Sequence, residues 1–248
     1  MKLYLTSSPT GSYRSSEPED FKGFNPANDM VKNLKEDWPD CASCLIIAAD
    51  PDAAMANNEM RFYFEKVLRD TGLPISGLDI CDSRNGEMIV EKLQEYDMII
   101  LGGGHVPTQN AFFQKIGLPE KIREFEGIVM GISAGSMNCA ELVYAQPELP
   151  GESISGTYQR YLEGLGLTRC NVLPHYQAVK HDMLDGKRLM EDITYPDSIG
   201  HKFYTIPDGS YILQREGIPV IYGEAYLMAE GELRQICENG RTFRIQEE

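Results

Sequence analysis

A serine lies between two glycines in the segment "GISAG", residues 131 to 135, where an apolar run gives way to a helical pattern. The pattern Gly-x-Ser-x-Gly is typical of a nucleophile elbow, a sharp strand-to-helix turn that holds a serine above the edge of a sheet. Glycines leave room for the turn, and the N–H groups at the start of the helix can stabilise an oxyanion. The pattern predicts Ser133 as a nucleophile and the N–H of Ala134 as an oxyanion donor. A purely structural turn is the alternative interpretation.

A nucleophilic serine needs a base, and the candidates are the four histidines of the chain, His105, His175, His181 and His201. His175 follows a short apolar run and a proline in "NVLPHYQ", which favours a loop at the same edge of the sheet as the serine. We predict His175 as the general base, with His181, in a more polar stretch, as the alternative. His201 opens a β-like run and is interpreted as a surface residue.

A base of this kind is oriented by a carboxylate. Asp208, in "IPDGSYIL", lies at the end of a predicted strand. Two interpretations stay open here, because Asp-Gly is also a common hairpin turn. As a triad member, Asp208 would give the chain order Ser-His-Asp, which differs from the Ser-Asp-His order of α/β-hydrolases.

Three glycines, Gly102 to Gly104, end another predicted strand and precede a helical pattern. A phosphate-binding loop is one interpretation, but the G-x-G-x-x-G fingerprint is incomplete at Pro107 and no P-loop Lys-Ser/Thr pair follows. We favour a close approach of the backbone to Ser133. In that arrangement the N–H of Gly103 or Gly104 supplies the second oxyanion donor.

Strands and helices alternate over the first 145 residues. The predicted strands are "KLYLTSS", "CLIIAAD", "ISGLDICD", "DMIILGGG" and "GIVMGIS". Each is followed by a predicted helix, in order "PANDMVKNLKED", "NEMRFYFEKVLRDTG", "NGEMIVEKLQEY", "TQNAFFQKIGLPEKIREF" as one helix or two, and "AGSMNCAELVYA". Five β-α units predict a three-layer α/β sandwich with a mostly parallel central sheet.

The C-terminal part changes character. Short strand-like runs with turns, from "HKFYTIP" to "LRQICENGRTFRI", predict a β-rich region that completes the same domain. Without a clear linker, residues 1–248 are expected to form a single domain. The polar loop of residues 8–27 and the segment 146–160 are the expected mobile segments.

Composition excludes several classes of partner. The formal net charge of −15 over 248 residues argues against nucleic acid and against an anionic membrane surface. No apolar run has the length of a membrane span or of a signal peptide, so we expect a cytoplasmic protein. The one Cys-x-x-C pair, Cys41 and Cys44, has no second pair at zinc-ribbon spacing, and reduced thiols are the favoured interpretation.

The motifs "LGGGHVPTQ", "GISAGS", "LPHYQ" and "IPDGSYIL", in this order, carry a family resemblance. The chain resembles the dipeptidase E and cyanophycinase family of serine peptidases, in the class I glutamine amidotransferase-like superfamily. The resemblance extends from the first strand to about residue 215. It implies a flavodoxin-like three-layer fold and maps the nucleophile onto Ser133, the base onto His175 and the acid onto Asp208.

The same resemblance implies further site residues. It maps the oxyanion hole onto Gly103 or Gly104 and Ala134. Dipeptidase E members cleave dipeptides with an N-terminal aspartate, and an aspartyl pocket needs a cation. Candidates for substrate binding are His105, which would lie beside the substrate, and five cations that are chosen for their charge and match no family motif: Arg160, Arg169, Lys180, Lys187 and Arg188. The dipeptidase uses Glu as its acid, whereas this chain has Asp208.

The sequence therefore predicts a serine hydrolase of small peptides or amides that needs no metal and no cofactor. Its expected partner is a small peptide or amide substrate, with N-terminal aspartate as one specificity, and a homodimer is compatible with the sequence. A non-catalytic metabolite-binding member of the superfamily is the main alternative, which a long distance between Asp208 and His175 would favour. An amidotransferase subunit would carry Cys at the elbow, and Cys139 lies too far into the following helix for that role.

Overall fold

The computed structural model describes residues 1–11 and 23–246 of the chain. The strands are β1 (Lys2–Thr6), β2 (Ala42–Ile47), β3 (Ile75–Cys81), β4 (Met98–Leu101), β5 (Ile128–Ile132), β6 (Leu142–Tyr144), β7 (Tyr161–Glu163), β8 (Asn171–Leu173), β9 (Met183–Leu184), β10 (Lys187–Arg188), β11 (Lys202–Thr205), β12 (Tyr211–Arg215), β13 (Ile218–Tyr222), β14 (Ala225–Ala229), β15 (Glu232–Cys237) and β16 (Thr242–Arg244). The α-helices are α1 (Met30–Asp37), α2 (Ala54–Thr71), α3 (Gly86–Val90), α4 (Val106–Lys115), α5 (Leu118–Ile122), α6 (Ala134–Asn138), α7 (Tyr176–Val179) and α8 (Tyr195–Asp197). Short 3₁₀ turns cover Ala27–Asp29 and Leu93–Glu95, and a π-helical turn covers Leu189–Thr194.

The central sheet has eight strands in the order β16-β13-β12-β1-β5-β4-β2-β3. The first five strands of the chain run parallel to one another, and β12, β13 and β16 extend the sheet antiparallel beyond β1. Parallel strands need crossover connections, which the intervening helices supply. The predicted α/β class with a mostly parallel central sheet is confirmed.

Alternate residues of the central strands enter two separate cores. In β1, Leu3 and Leu5 join one apolar cluster, whereas Tyr4 joins the cluster on the opposite face of the sheet. The same alternation separates Leu45 from Ile46 in β2. Both faces are therefore covered, as expected for strands that read as continuous apolar runs. Each large side chain buried in this way contributes about 1.5–3 kcal/mol to the free energy of unfolding.

A second sheet of four strands, in the order β15-β14-β11-β8, forms much of the C-terminal part. A third apolar cluster, which includes Met137 of α6, Tyr144 of β6 and Phe203 of β11, joins this sheet to the helix after β5. The predicted β-rich C-terminal part is thus divided, because β12, β13 and β16 extend the central sheet while β8, β11, β14 and β15 form their own. Within the second sheet, β8 and β11 are parallel neighbours.

One predicted helix is shorter in the structure, and a segment predicted as one helix or two contains two. The helix predicted over residues 134–145 is wrong in its second half, since α6 ends at Asn138 and Leu142–Tyr144 forms strand β6, paired antiparallel with β7. The carbonyls of Asn138 and Ala140 accept N–H groups from residues 165 and 166 instead of continuing the helix. The segment 108–125 contains two helices, because Gly117, at a φ of 68°, ends one and caps the next.

The N-terminal loop and the first helix agree with expectation only in part. Of the polar loop expected over residues 8–27, residues 12–22 lie outside the described part of the chain. The helix predicted from Pro26 begins as a 3₁₀ turn and becomes α-helical at Met30. Among the described residues, none of the helices combines the length and the apolar character needed to cross a membrane.

The strand β5 meets α6 with almost no space between backbones. A Cβ placed on Gly135 would lie 2.2 Å from the carbonyl oxygen of Leu101 in β4. We expect Gly135→Ala to lower the free energy of unfolding by about 1–3 kcal/mol, because either strand or helix must shift. Urea unfolding of Gly77→Ala gives the control, since a Cβ on Gly77 meets no atom within 4 Å. Equal midpoints for the two variants would contradict the close-packing argument.

Candidate active site

Ser133 occupies the turn between β5 and α6. Its backbone has φ of 52° and ψ of −113°, a conformation that L-residues rarely adopt and that costs about 1–3 kcal/mol. The turn is possible because Gly131 and Gly135 have no side chains, and a Cβ on Gly131 would lie 2.6 Å from the Cα of Ser136. The N–H of Ser133 donates to the carbonyl of Thr6 at 3.0 Å, which fixes the turn to the end of β1.

His175 and Asp208 follow the ends of two parallel strands of the second sheet. Leu173 of β8 is the register partner of Thr205 of β11, so the two chains leave the sheet side by side. The pairing continues beyond the strands, because the N–H of Ile206 donates to the carbonyl of Leu173 at 2.9 Å. His175 then adopts a left-handed backbone conformation, with φ of 60° and ψ of 27°, at the start of α7.

A continuous chain of hydrogen bonds joins Ser133, His175 and Asp208. His175 Nε2 lies 2.8 Å from Ser133 Oγ, and His175 Nδ1 lies 2.8 Å from Asp208 Oδ1. His175 is buried, with 8% of its surface exposed. A carboxylate only accepts, so Nδ1 carries the proton of the neutral ring and Nε2 is left to accept from the Ser133 hydroxyl. This arrangement can move a proton from Ser133 to His175.

Asp208 is held by its neighbours as well as by the histidine. Its second carboxylate oxygen accepts from Gln177 Nε2 at 2.6 Å, and its own N–H donates to Gln177 Oε1 at 3.0 Å. The hairpin interpretation of Asp208-Gly209 is wrong, because the flanking strands β11 and β12 belong to different sheets. A long distance between Asp208 and His175 would favour the non-catalytic alternative. The observed distance of 2.8 Å does not meet that condition.

Ser7 is a further polar residue of this network that the sequence analysis did not identify as a site residue. Its hydroxyl donates to Asp208 Oδ1 at 2.5 Å, accepts the N–H of His175 at 2.8 Å and lies 3.2 Å from His175 Nδ1. Ser7 is fully buried. The order of strands in the sheet is the signal that could have identified Ser7. Ser7 follows β1 and Ser133 follows β5, and these two strands are parallel neighbours in the central sheet.

The glycines after β4 lie beside the serine, as the sequence analysis predicted. A Cβ on Gly103 would lie 3.4 Å from the Cβ of Ser133, so the backbone of Gly103 passes within contact distance of the nucleophile's side chain. Gly104 lines the same cavity as Ser133. Ala134 is the first residue of α6, and N–H groups in a first helical turn have no acceptor within their own helix. The backbone of both segments therefore lies near Ser133.

Ser133 and His175 open into a cavity of about 510 Å³. Its lining includes the segment 146–149, the residues Asp182–Leu184, His105 and Met137. The segment 146–160, which we expected to be mobile, is fastened near its middle: Asp185 accepts the N–H groups of Gly151 and Ser153, at 2.8 and 3.2 Å.

The remaining predicted site residues have different locations. His105 lines the cavity, bonded through Nδ1 to Thr108 Oγ1 at 2.7 Å and through Nε2 to Glu152 Oε1 at 2.9 Å. Arg160 does not line it; its guanidinium lies 3.6 Å from Asp197 Oδ2 and over the ring of Tyr158.

Arg169 and His181 also lie away from the cavity lining. Arg169 is exposed and lies 3.9 Å from Glu141. The alternative base, His181, is exposed as well. Cys139 is fully buried after α6, where burial raises the pKa of its thiol, so it cannot serve as a nucleophile.

Comparisons with known proteins agree with this architecture. A crystal structure of a candidate peptidase E protein from Listeria monocytogenes EGD-e is similar to this chain, with a TM-score of 0.53 and 18% sequence identity. The alignment covers 99% of this chain and 98% of that one, and at this identity it shows the fold alone. A comparison with curated protein sequences found no significant match. The model of peptidase family S51 matches residues 15–218, and the chain therefore belongs to this family of serine peptidases, the dipeptidase E family.

Proposed function

We propose that this protein is an exopeptidase of the dipeptidase kind, which hydrolyses small peptides through Ser133, His175 and Asp208. The observation that carries the proposal is the chain of two 2.8 Å hydrogen bonds from Ser133 through His175 to Asp208. Both serine and histidine reach the same cavity, so a bound peptide can contact the nucleophile and the base together.

In the first half of the reaction, His175 Nε2 takes the proton of Ser133 while Oγ attacks the scissile carbonyl carbon. The resulting oxyanion accepts from the N–H of Ala134 and from that of Gly103 or Gly104. Asp208 stabilises the imidazolium and keeps Nδ1 protonated. When the tetrahedral intermediate collapses, the C–N bond breaks and His175 gives its proton to the leaving amine.

The second half releases the acyl group. A water molecule gives a proton to His175 Nε2 and attacks the ester carbonyl formed with Ser133. Collapse of the second intermediate breaks the ester, and the proton returns from His175 to Ser133 Oγ. The enzyme regains its starting state, and one water molecule has been added across the cleaved peptide bond.

A cavity of about 510 Å³ favours a short peptide over a long chain. N-terminal aspartate is not part of the proposal. An aspartate side chain needs a positive partner, and no Lys or Arg occurs among the described residues that line the cavity. The arginines predicted for this role because of their charge, Arg160 and Arg169, lie elsewhere.

We expect Ser133→Ala to lower turnover of short peptides by about 10³-fold or more, with the melting temperature almost unchanged. A fluorophosphonate probe should modify Ser133, as judged by intact mass and peptide mapping. Ser155→Ala, at an exposed serine outside the cavity, serves as the matched control. Full activity of Ser133→Ala would remove the proposal.

We expect His175→Ala to abolish labelling by the fluorophosphonate, because the serine hydroxyl loses its proton acceptor. His181→Ala removes the exposed histidine that was the alternative base, and its labelling rate should equal that of the wild type. Labelling that depends on His181 and not on His175 would contradict the assignment of the base.

Ser7 is proposed as a positioning residue, because it contacts Asp208 and His175 without reaching the nucleophile. We expect Ser7→Ala to lower kcat about tenfold with little change in KM, since a hydrogen bond to a charged group is lost. In an Asp208→Ala background the same substitution should cost clearly less, because the hydrogen bond from Ser7 to the carboxylate is already absent and only the contacts of Ser7 with His175 remain to be lost. Equal factors in both backgrounds would indicate a merely structural serine.

A further inference from the structure

We propose that the cavity selects peptides with a positively charged group, an ammonium or a guanidinium, which pairs with the carboxylate of Glu148. The inference rests on the proposed peptidase function and adds the class of substrate. It also reverses the charge expected from the resemblance, because N-terminal aspartate would bring a second negative charge to the same wall.

Glu148 is accessible to a ligand and belongs to the cavity of Ser133 and His175. Its carboxylate has no hydrogen bond or ion pair with any described residue of the chain. Partial loss of water raises the pKa of the Glu148 carboxyl, with Glu152 acting in the same direction and His105 and His175 against it. A cation from the substrate would relieve this cost and stabilise the ionised form.

The wall that carries Glu148 is fixed before any ligand binds. One carboxylate oxygen of Glu152 accepts the N–H groups of Glu148 and Leu149, at 2.9 and 3.0 Å, and the other lies 2.9 Å from His105 Nε2. Glu152 is thus occupied by the protein itself, whereas Glu148 is presented to the cavity. The backbone that carries Glu148 is therefore held in place, so only the Glu148 side chain has to be ordered on binding, which limits the entropic cost.

Lysine and arginine are absent from the described lining of this cavity, which has a second acidic residue, Asp182. The lysines and arginine of the neighbouring segment, Lys180, Lys187 and Arg188, do not line it. Arg188 pairs with Asp192 at 2.6 Å, and Lys180 lies near the ring of Tyr176. The local potential therefore favours a cation and opposes an anion.

The test uses four peptides that present different positive charges: lysine or norleucine as N-terminal residue, each with a free or an acetylated α-amine. For the full-length protein we expect kcat/KM to fall about tenfold or more when a critical charge is removed. In Glu148→Gln, kcat/KM of the charged peptide should be about equal to kcat/KM of the peptide that lacks the charge. Glu126→Gln, an exposed glutamate before the opposite end of β5, should keep the wild-type ratio.

The kcat/KM values of the four peptides show which positive group of the substrate pairs with Glu148. A Glu148-dependent loss on acetylation assigns the α-ammonium, and a Glu148-dependent preference for lysine over norleucine assigns the side chain. Either supports the inference. Equal kcat/KM for all four peptides, with Ser133 still labelled by fluorophosphonate, overturns it and leaves the peptidase function intact.

Binding gives a readout that needs no turnover. The same four peptides are titrated calorimetrically into Ser133→Ala, with and without Glu148→Gln. We expect tighter binding of the charged peptides that depends on Glu148. Equal affinities overturn the inference, and absence of both labelling and hydrolysis in the wild type overturns the proposed function separately.

Discussion

The close contact between β5, β4 and α6 is the constraint on which the site depends. Ser133 can hold its unfavourable backbone angles only because the chain on both sides has no Cβ to collide with the sheet or the helix. A conformation that costs about 1–3 kcal/mol persists where the surrounding packing leaves no alternative. The surroundings of Ser133 are fully buried strands of the central sheet, so the serine is fixed by the core and not by a mobile loop.

Four strand ends supply the polar residues of the site, two from each sheet. In the central sheet, the parallel neighbours β1 and β5 lead to Ser7 and Ser133; in the second sheet, β8 and β11 lead to His175 and Asp208. Parallel neighbours end at the same edge, so each pair arrives together. The hydrogen bonds of Ser7 then join the two pairs across the boundary between the sheets. Packing of the second sheet against α6 consequently determines the distance from nucleophile to base.

Sequence patterns predicted the parts of this site that depend on local geometry. The elbow needs glycines at fixed spacing, and the five β-α units carry clear periodicity, so Ser133 and the class of sheet could be predicted. Ser7 contacts a residue 201 positions away, and nothing near it in the chain indicates that contact. The arginines were chosen by charge alone, and Arg160 has partners of its own. The strand Leu142–Tyr144 was missed because its partner, β7, lies beyond an irregular segment.

The net charge of the chain and the charged residues that line the cavity have different effects on substrate binding. A net charge of −15 would favour cations over the whole surface, but salt screens such an effect beyond about 10 Å. In the proposal made above, selectivity is decided by the carboxylate that the fold leaves available in the cavity of Ser133. Glu152 is used to fix the wall, and Glu148 is the residue that this wall presents. Substrate preference thus depends on a hydrogen-bonded loop outside the family's motifs, so two members with the same triad can differ in the charge they accept.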